Sequence, residues 1–444
     1  MKLYKILLIN LIVISKIYGQ WSELTGLNTT QSIISLCSDF NGNIYAAGSF
    51  TNLANKKYVA KFDGTRWSEL GGSNSLGANL NIHSLISDST GNIYAAGSFT
   101  NSANNKYVAK FDGTKWSELG AGANGLNVDA TIYSICIDLT GNIYAAGNFR
   151  NLKDKHYVAK FNGNGWFEIG TSALNNSLNA NAPIYKICSD SKGNIYAAGS
   201  FTNSANNKYV AKFDGTKWSE LGGSNSLGSG LDNINSLISD SKGNIYANIF
   251  KYIGVGGKAY IAKFDGTDWK ELGGINSLVV SNINTIFIDS KDNIYAAVNN
   301  IVGSEYKSYI VMFNGSNWSI LGGGSDPFKG ISSVNVLSTD SDGNLYAANK
   351  FVAKLSKNQS NLKQPLKNNL FSLYTNPIEN KIILTAADEL YGMDYFIYDK
   401  SGKLIVSDKI KSEKTNINIA NLSNGVYILT IKNKFSQSFC VSNK

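Results

Sequence analysis

The chain has 444 residues, 43% of them hydrophobic, and carries a formal charge of +9 with four cysteines and two histidines. That is enough apolar material for more than one cored domain. Four scattered cysteines make no disulfide framework, and lysines spread singly rather than in blocks argue against a nucleic acid partner.

Residues 1–19 read as a signal peptide. Lys2 and Lys5 precede a short apolar run over residues 6–14, and Gly19 is the small residue before Gln20. No later apolar run approaches the ~20 residues of a membrane span, so none is expected once the leader is removed.

From Trp21 onward the chain repeats. The segment GNIYAAGSFTNSANNKYVAKFDGTKWSELG occupies residues 91–120 and recurs letter for letter at 193–222. Variants of its first four residues begin at Gly42, Gly91, Gly141, Gly193, Gly243, Asp292 and Gly343, so the period is 49–52 residues. Each unit reads as four short strands, exemplified by IHSLISD, IYAAGSF, YVAKF and WSEL. Asp-Gly between the third and fourth is a hairpin signal, since both residues tolerate positive φ. Four antiparallel strands recurring at this period describe a β-propeller blade.

The strand inventories are out of phase. Trp21 precedes the first complete unit, and no Trp follows the last YVAKF-like strand, FVAKL at residues 351–355. A linear array would expose unpaired edges at both ends. A ring removes them, with residues 21–24 serving as the outer strand of the last blade. The expectation is therefore an all-β chain whose residues 20–357 form a seven-bladed propeller closed by its N-terminal strand.

Seven aspartates end the first strands: Asp39, Asp88, Asp138, Asp190, Asp240, Asp289 and Asp340. DSDGN at residues 340–344 resembles part of a calcium loop, but such a loop needs several alternating oxygen ligands and a distant Glu. Asp three residues before Gly fits an Asx-type turn instead. The tryptophans recur beside the hairpin, as blade packing requires. Cys37, Cys136 and Cys188 stand where other units carry Ile86, Ile238, Phe287 and Ser338, and a free Cys packs as a small hydrophobe. The Gly-rich GGSNSLG segments at residues 71–77 and 222–228 open no helix, so they are no phosphate cradle. His83 and His156 fall in different units, no nucleophile motif is present, and no metal or cofactor site is expected.

Connections between second and third strands, and between units, are long and variable, and in an up-and-down blade both emerge on one face. Recognition belongs on such loops. Five residues before each closing Asp the residue type varies: Ile34, His83, Tyr133, Tyr185, Asn235, Asn284 and Asn335. The residue before it is always Ile or Val, hence core. His83, Tyr133, Tyr185, Asn235, Asn284 and Asn335 are thus expected around the channel mouth on the long-loop face. There they suit a small polar ligand held by stacking and amide hydrogen bonds. RNLKDKH at residues 150–156 departs most in charge from its relatives. The leading expectation is a non-catalytic propeller binding a glycan, polysaccharide or surface protein. The alternatives are a glycosidase or lyase using acids near the channel and a purely structural surface or adhesion component.

After residue 355 the repeat stops. Residues 358–369 are polar and read as a linker, and residues 370–444 show differently spaced alternating strands, as in a small β-sandwich. YTNPIENKIILT (374–385), IYDKSGKLI (397–405), NLSNGVYILTI (421–431) and a closing Lys444 carry a resemblance. This tail resembles the C-terminal sorting domain of proteins exported by the type IX secretion system of Bacteroidota. On that resemblance Tyr374, Asn376, Pro377, Gly402, Gly425, Tyr427 and Lys444 are the motif positions, and Thr375 departs where the family usually has Pro. The resemblance implies handling by the type IX machinery, outer-membrane export, removal of the tail, and release or surface attachment.

Overall fold

The computed structural model describes residues 18–357 apart from 28, 172–175, 224–225, 254–255, 275–276, 279, 303–304 and 322–332. Of the C-terminal part it describes residues 371–376, 381–386, 390–399, 402–412, 414–419, 422–423, 425–431 and 435–441. The chain divides into two compact units, Met1–Asn358 and Gln359–Lys444.

Among the described residues of the first unit, the strands form seven four-stranded antiparallel sheets. Blade II is representative, with strands Ile82–Ser87, Ile93–Thr100, Lys106–Phe111 and Trp116–Glu118 in sequence order. The innermost strand of each blade lies against that of the next, and Ile33–Ser38 of blade I lies against Val336–Thr339 of blade VII, so the array closes on itself. In blade VII the strand order places Tyr18–Glu23 outside Val352–Lys357. Trp21 is opposite Leu355 and Glu23 opposite Ala353, and the Leu24 N–H donates to the Val352 carbonyl at 2.8 Å. The strand begins at Tyr18, two residues inside the segment expected as leader; residues 1–17 lie outside the described residues.

Each blade interface is an apolar layer. In the one between blades I and II, Tyr45 and Ala47 meet Ile82, Leu85, Ile93, Ala95 and Phe111. The second strand is buried on both sides, which is why IYAA is apolar throughout instead of alternating. Trp21 packs into the layer between blades VI and VII with Ile310, Met312 and Leu355.

Polar bonds stitch the blades together. Indole N–H groups reach back one blade: Trp116 donates to the Leu70 carbonyl at 3.3 Å and Trp166 to that of Leu119 at 2.9 Å. Trp218, Trp269 and Trp318 repeat the contact on Ile169, Leu221 and Leu272. At the seam, the buried Trp67 Nε1 has no acceptor among the described residues. Around the channel, the hydroxyls of Ser35, Ser84, Ser134 and Ser236 accept the N–H of Leu85, Ile135, Ile187 and Ile286 in the following blade.

The closing aspartates are turn residues. Asp190 Oδ1 accepts the N–H groups of Lys192 and Asn194, while Oδ2 accepts the Asn194 amide at 2.7 Å and the Tyr196 hydroxyl at 2.9 Å. The same arrangement recurs at Asp340, so DSDGN is a turn like the others. Burial pushes the Asp190 carboxyl up, and the bonds from Asn194, Lys192 and Tyr196 outweigh it, leaving it below its ordinary value.

In the second unit, Phe371–Asn376, Lys381–Ala386 and Lys414–Asn418 form one sheet. Leu404–Lys409, Asp394–Asp399, Gly425–Ile431 and Phe435–Val441 form the other. Ile382, Leu384 and Ile417 of the first sheet share a core with Tyr395, Ile397, Leu429 and Ile431 of the second. This is a β-sandwich, and Phe371–Asn376 and Phe435–Val441 are strands that alternation alone did not mark.

The seam supplies a test. Trp21→Ala removes a buried indole from the closing layer and is expected to cost about 3–5 kcal/mol, read as a lowered denaturation midpoint. An unchanged midpoint would mean that the ring does not depend on its seam strand.

Candidate functional site

The innermost strand of a blade does not pair evenly with the second. In blade II, Ile82 is opposite Gly97 and Ser84 opposite Ala96, which leaves His83 as an extra residue. The same offset isolates Ile34, Tyr133, Tyr185 and Asn284 in blades I, III, IV and VI. Each is a β-bulge, a device that re-aims one side chain. The residue before it stays in the core: Ile33, Ile82, Ile132 and Ile184 have no exposed surface. The varying position is therefore the position that the backbone turns out of the packed layer.

In blades I–IV the bulge is matched by a glycine on the neighbouring strand. A Cβ built on Gly97 would stand 2.1 Å from the Asn81 carbonyl oxygen, and on Gly147 it would stand 2.1 Å from that of Thr131. In blades I–IV the last glycine of IYAAG thus leaves room for this close backbone approach. Blade VI keeps the bulge with Val298 at this position. Blades V and VII carry Asn. The Asn248 side-chain oxygen accepts the Ser236 N–H at 2.8 Å and its amide donates to the Ile283 carbonyl, while the Asn349 amide donates to the Ser333 carbonyl. The innermost strand of blade V is correspondingly short, Leu237–Ser239.

These positions form two arcs. His83, Tyr133 and Tyr185 touch edge to face in succession, with ring centroids 5.9 Å and 5.5 Å apart. His83 Nε2 lies 3.1 Å from the Ser98 hydroxyl. Burial holds its imidazole below the ordinary value, and burial followed by the neighbouring Tyr185 raises the Tyr133 hydroxyl. Opposite them, Asn235, Asn284 and Asn335 line one cleft of about 570 Å³, together with Asp232, Asn248 and Tyr252. Asn284 donates to Asn299 Oδ1 at 3.2 Å, and Asn335 donates to the Ile33 carbonyl at 3.2 Å across the seam. Asn235 is exposed and makes no side-chain hydrogen bond among the described residues. The tyrosine arc does not line this cleft, so the six residues divide into an aromatic and an amide group. Asn248 and Tyr252 belong to it as well. The Gly-to-Asn change in blade V was the available sequence signal.

The surrounding loops are fixed. In the long connection of blade II, Asn101 Oδ1 accepts the N–H groups of Ala103 and Asn105, while its amide donates to Glu118 of the fourth strand. The end of the corresponding loop in blade I is bridged to the next connection through Lys57 and Ala78. No group of three His, Cys, Asp or Glu that could hold a metal occurs among the described residues. Cys37, Cys136 and Cys188 are free thiols; burial raises all three well above the ordinary thiol value. Of the tail motif positions, Tyr427 is buried and donates to the Ser423 carbonyl at 3.0 Å. Gly402 closes a hairpin at φ 85°. Tyr374, Asn376 and Gly425 lie on strands, whereas Pro377 and Lys444 fall outside the described residues.

Comparison with known proteins agrees with this division. No curated protein matches the chain. The extracellular domain of the hybrid two component system BT3049 from B. thetaiotaomicron is similar in structure, with TM-score 0.51 and 13% identity over 96% of this chain and 57% of that one. YCF48 from Cyanidioschyzon merolae is similar with TM-score 0.50 and 11% identity, over 76% of this chain and 99% of that one. PorZ, a surface component of the type IX secretion system of Porphyromonas gingivalis, gives TM-score 0.49 and 14% identity over 94% and 60%. The chain thus spans about 60% of the length of PorZ and of the BT3049 domain. At these identities the likeness is one of fold. Residues 372–440 match the family described as the secretion system C-terminal sorting domain, so the tail is a sorting domain and marks a β-propeller protein for type IX export to the cell surface or the medium.

Proposed function

We propose that this chain is a non-catalytic surface or secreted propeller that binds a glycan or polysaccharide through the channel mouth on its long-loop face. One observation carries the reading. A bulge repeated in blades I–IV and VI turns out of the core a residue that differs between blades, while the bulge itself is kept in those five. Amide side chains converging on an open cleft suit sugar hydroxyls, which donate and accept alike, and an aromatic arc suits the apolar faces of sugar rings. Asp232 is the carboxylate of the cleft, and its Oδ2 lies 3.4 Å from the Tyr252 hydroxyl. A hydrolase of the two-carboxylate kind needs a second acid within about 5–10 Å, and the described cleft lining supplies amides in its place. A rigid scaffold with one adaptable position per blade also favours recognition over chemistry.

The reading is tested on the full chain by a glycan array followed by calorimetric titration of the best probe. Tyr133→Ala and Asn235→Ala are each expected to weaken binding about tenfold with the melting temperature preserved. No bound probe, or affinity indifferent to both substitutions, would refute the mouth as the site. Gly147→Ala forces a Cβ onto the Thr131 carbonyl. It is expected to cost about 1–3 kcal/mol and to weaken binding, because the backbone beside Tyr133 must shift to admit the Cβ.

His83 gives a pH dependence. Its folded-state pKa lies below the ordinary imidazole value, so above pH ~6.5 both folded and unfolded chains are neutral there. As pH falls below that value the unfolded chain takes up the proton first, and stability drops. The melting temperature of the wild type is therefore expected to fall more between pH 7 and pH 5 than that of His83→Asn. Equal falls would show that the imidazole is not held neutral.

A further inference from the structure

Blade V differs from blades I–IV on its outer side as well as at the mouth, and blade VI shares its uninterrupted ladder. In blades I–IV the fourth-strand glutamates Glu69, Glu118, Glu168 and Glu220 accept the amide of a loop asparagine. Blade V has no such loop. Ile245–Ile253 and Gly256–Phe264 run on as an unbroken ladder, and Glu271 is paired with Lys258 instead. That ladder sets Lys251 directly opposite Lys258. Two ammonium groups so opposed repel and destabilise the pair.

The two lysines share their face with Tyr260 and Ala262, because alternate residues of a strand point the same way. With Trp269, Glu271, Ser226 and Leu227 they line a cavity of about 310 Å³. Leu227 is buried, and the Trp269 ring is held by its bond to the Leu221 carbonyl. The charges do not balance. Glu271 answers Lys258, and Asp265 answers Lys270 at 2.9 Å. Lys251 has no ion pair or side-chain hydrogen bond among the described residues, and it is half-buried. A cation kept beside another cation, in a cavity walled by Tyr260 and Trp269, calls for an anion borne on a ring with an apolar face.

We infer that this cavity is a second binding site, for an acidic sugar residue whose carboxylate or sulfate pairs with Lys251 while its ring lies against Trp269 and Tyr260. The volume is at the small end of ligand pockets and suits one residue of a longer polysaccharide. The site is independent of the channel mouth, sharing no side chain with it.

The test is titration of the full chain with three probes: oligogalacturonate, a sulfated carrageenan oligosaccharide and a neutral dextran oligosaccharide. At least one acidic probe is expected to bind, more weakly as ionic strength rises, and whichever binds identifies the anion. Lys251→Gln is expected to weaken that binding about tenfold, Lys251→Arg to restore most of it, and Asn235→Ala at the mouth to leave it unchanged. Lys251→Gln removes no pairing bond and relieves the repulsion from Lys258, so its melting temperature should equal or exceed that of the wild type. The inference is overturned if neither acidic probe binds, if dextran binds equally well, or if Lys251→Gln has no effect. Loss of binding on Asn235→Ala alone would also overturn it, by assigning the acidic probe to the mouth.

Discussion

An antiparallel sheet of four strands has two edges, and seven such sheets in a row would leave backbone donors and acceptors exposed at every one. In this protein the inner edges of blades I, II, III and V are bonded to the following blade around the channel. Serine hydroxyls of one blade accept N–H groups of the next, and other serines donate back to carbonyls, as Ser87 does to Ser38 and Ser38 does to Thr339 across the seam. The strand Tyr18–Glu23 covers the outer edge of blade VII. The remaining features follow from that circle of satisfied edges, including the apolar layers, the fixed loops and the converging mouth.

Most of this was legible. The period, the hairpin signals and the phase offset between strand inventories determine blade count and closure, because each depends on local chemistry repeated many times. The aspartate turns were legible for the same reason, although their fourth bond, from a tyrosine six residues on, was not. That tyrosine reads as strand interior, and its partner becomes visible only once the turn is folded. The identical segments at 91–120 and 193–222 illustrate how local the code is. Asn101 and Asn203 build the same loop and reach the matching glutamates at 3.0 Å in both.

The site was legible in position but not in mechanism. Comparing blades singled out the varying residue, yet alternation alone cannot show that it is a bulge, since one unpaired residue changes register without changing composition. Nor did it show the division into an aromatic and an amide arc. The departures that matter are single residues: Asn248 for Gly, Lys186 where blades I, II, III and V have Ser, Lys258 facing Lys251. Lys186 offers no hydroxyl to the following blade, and it is there that the innermost strand shortens to Leu237–Ser239 and the cleft opens.

The seam carries an evolutionary corollary. Because the ring is joined between equivalent strands of one blade, every junction around it is built from the same kind of surface. A tandem duplication or loss of one whole period therefore leaves both termini able to meet as before. Ring size can change in integer steps through recombination between near-identical stretches of coding sequence. The circumference of the opening is in this sense a heritable variable, adjustable without redesigning any joint.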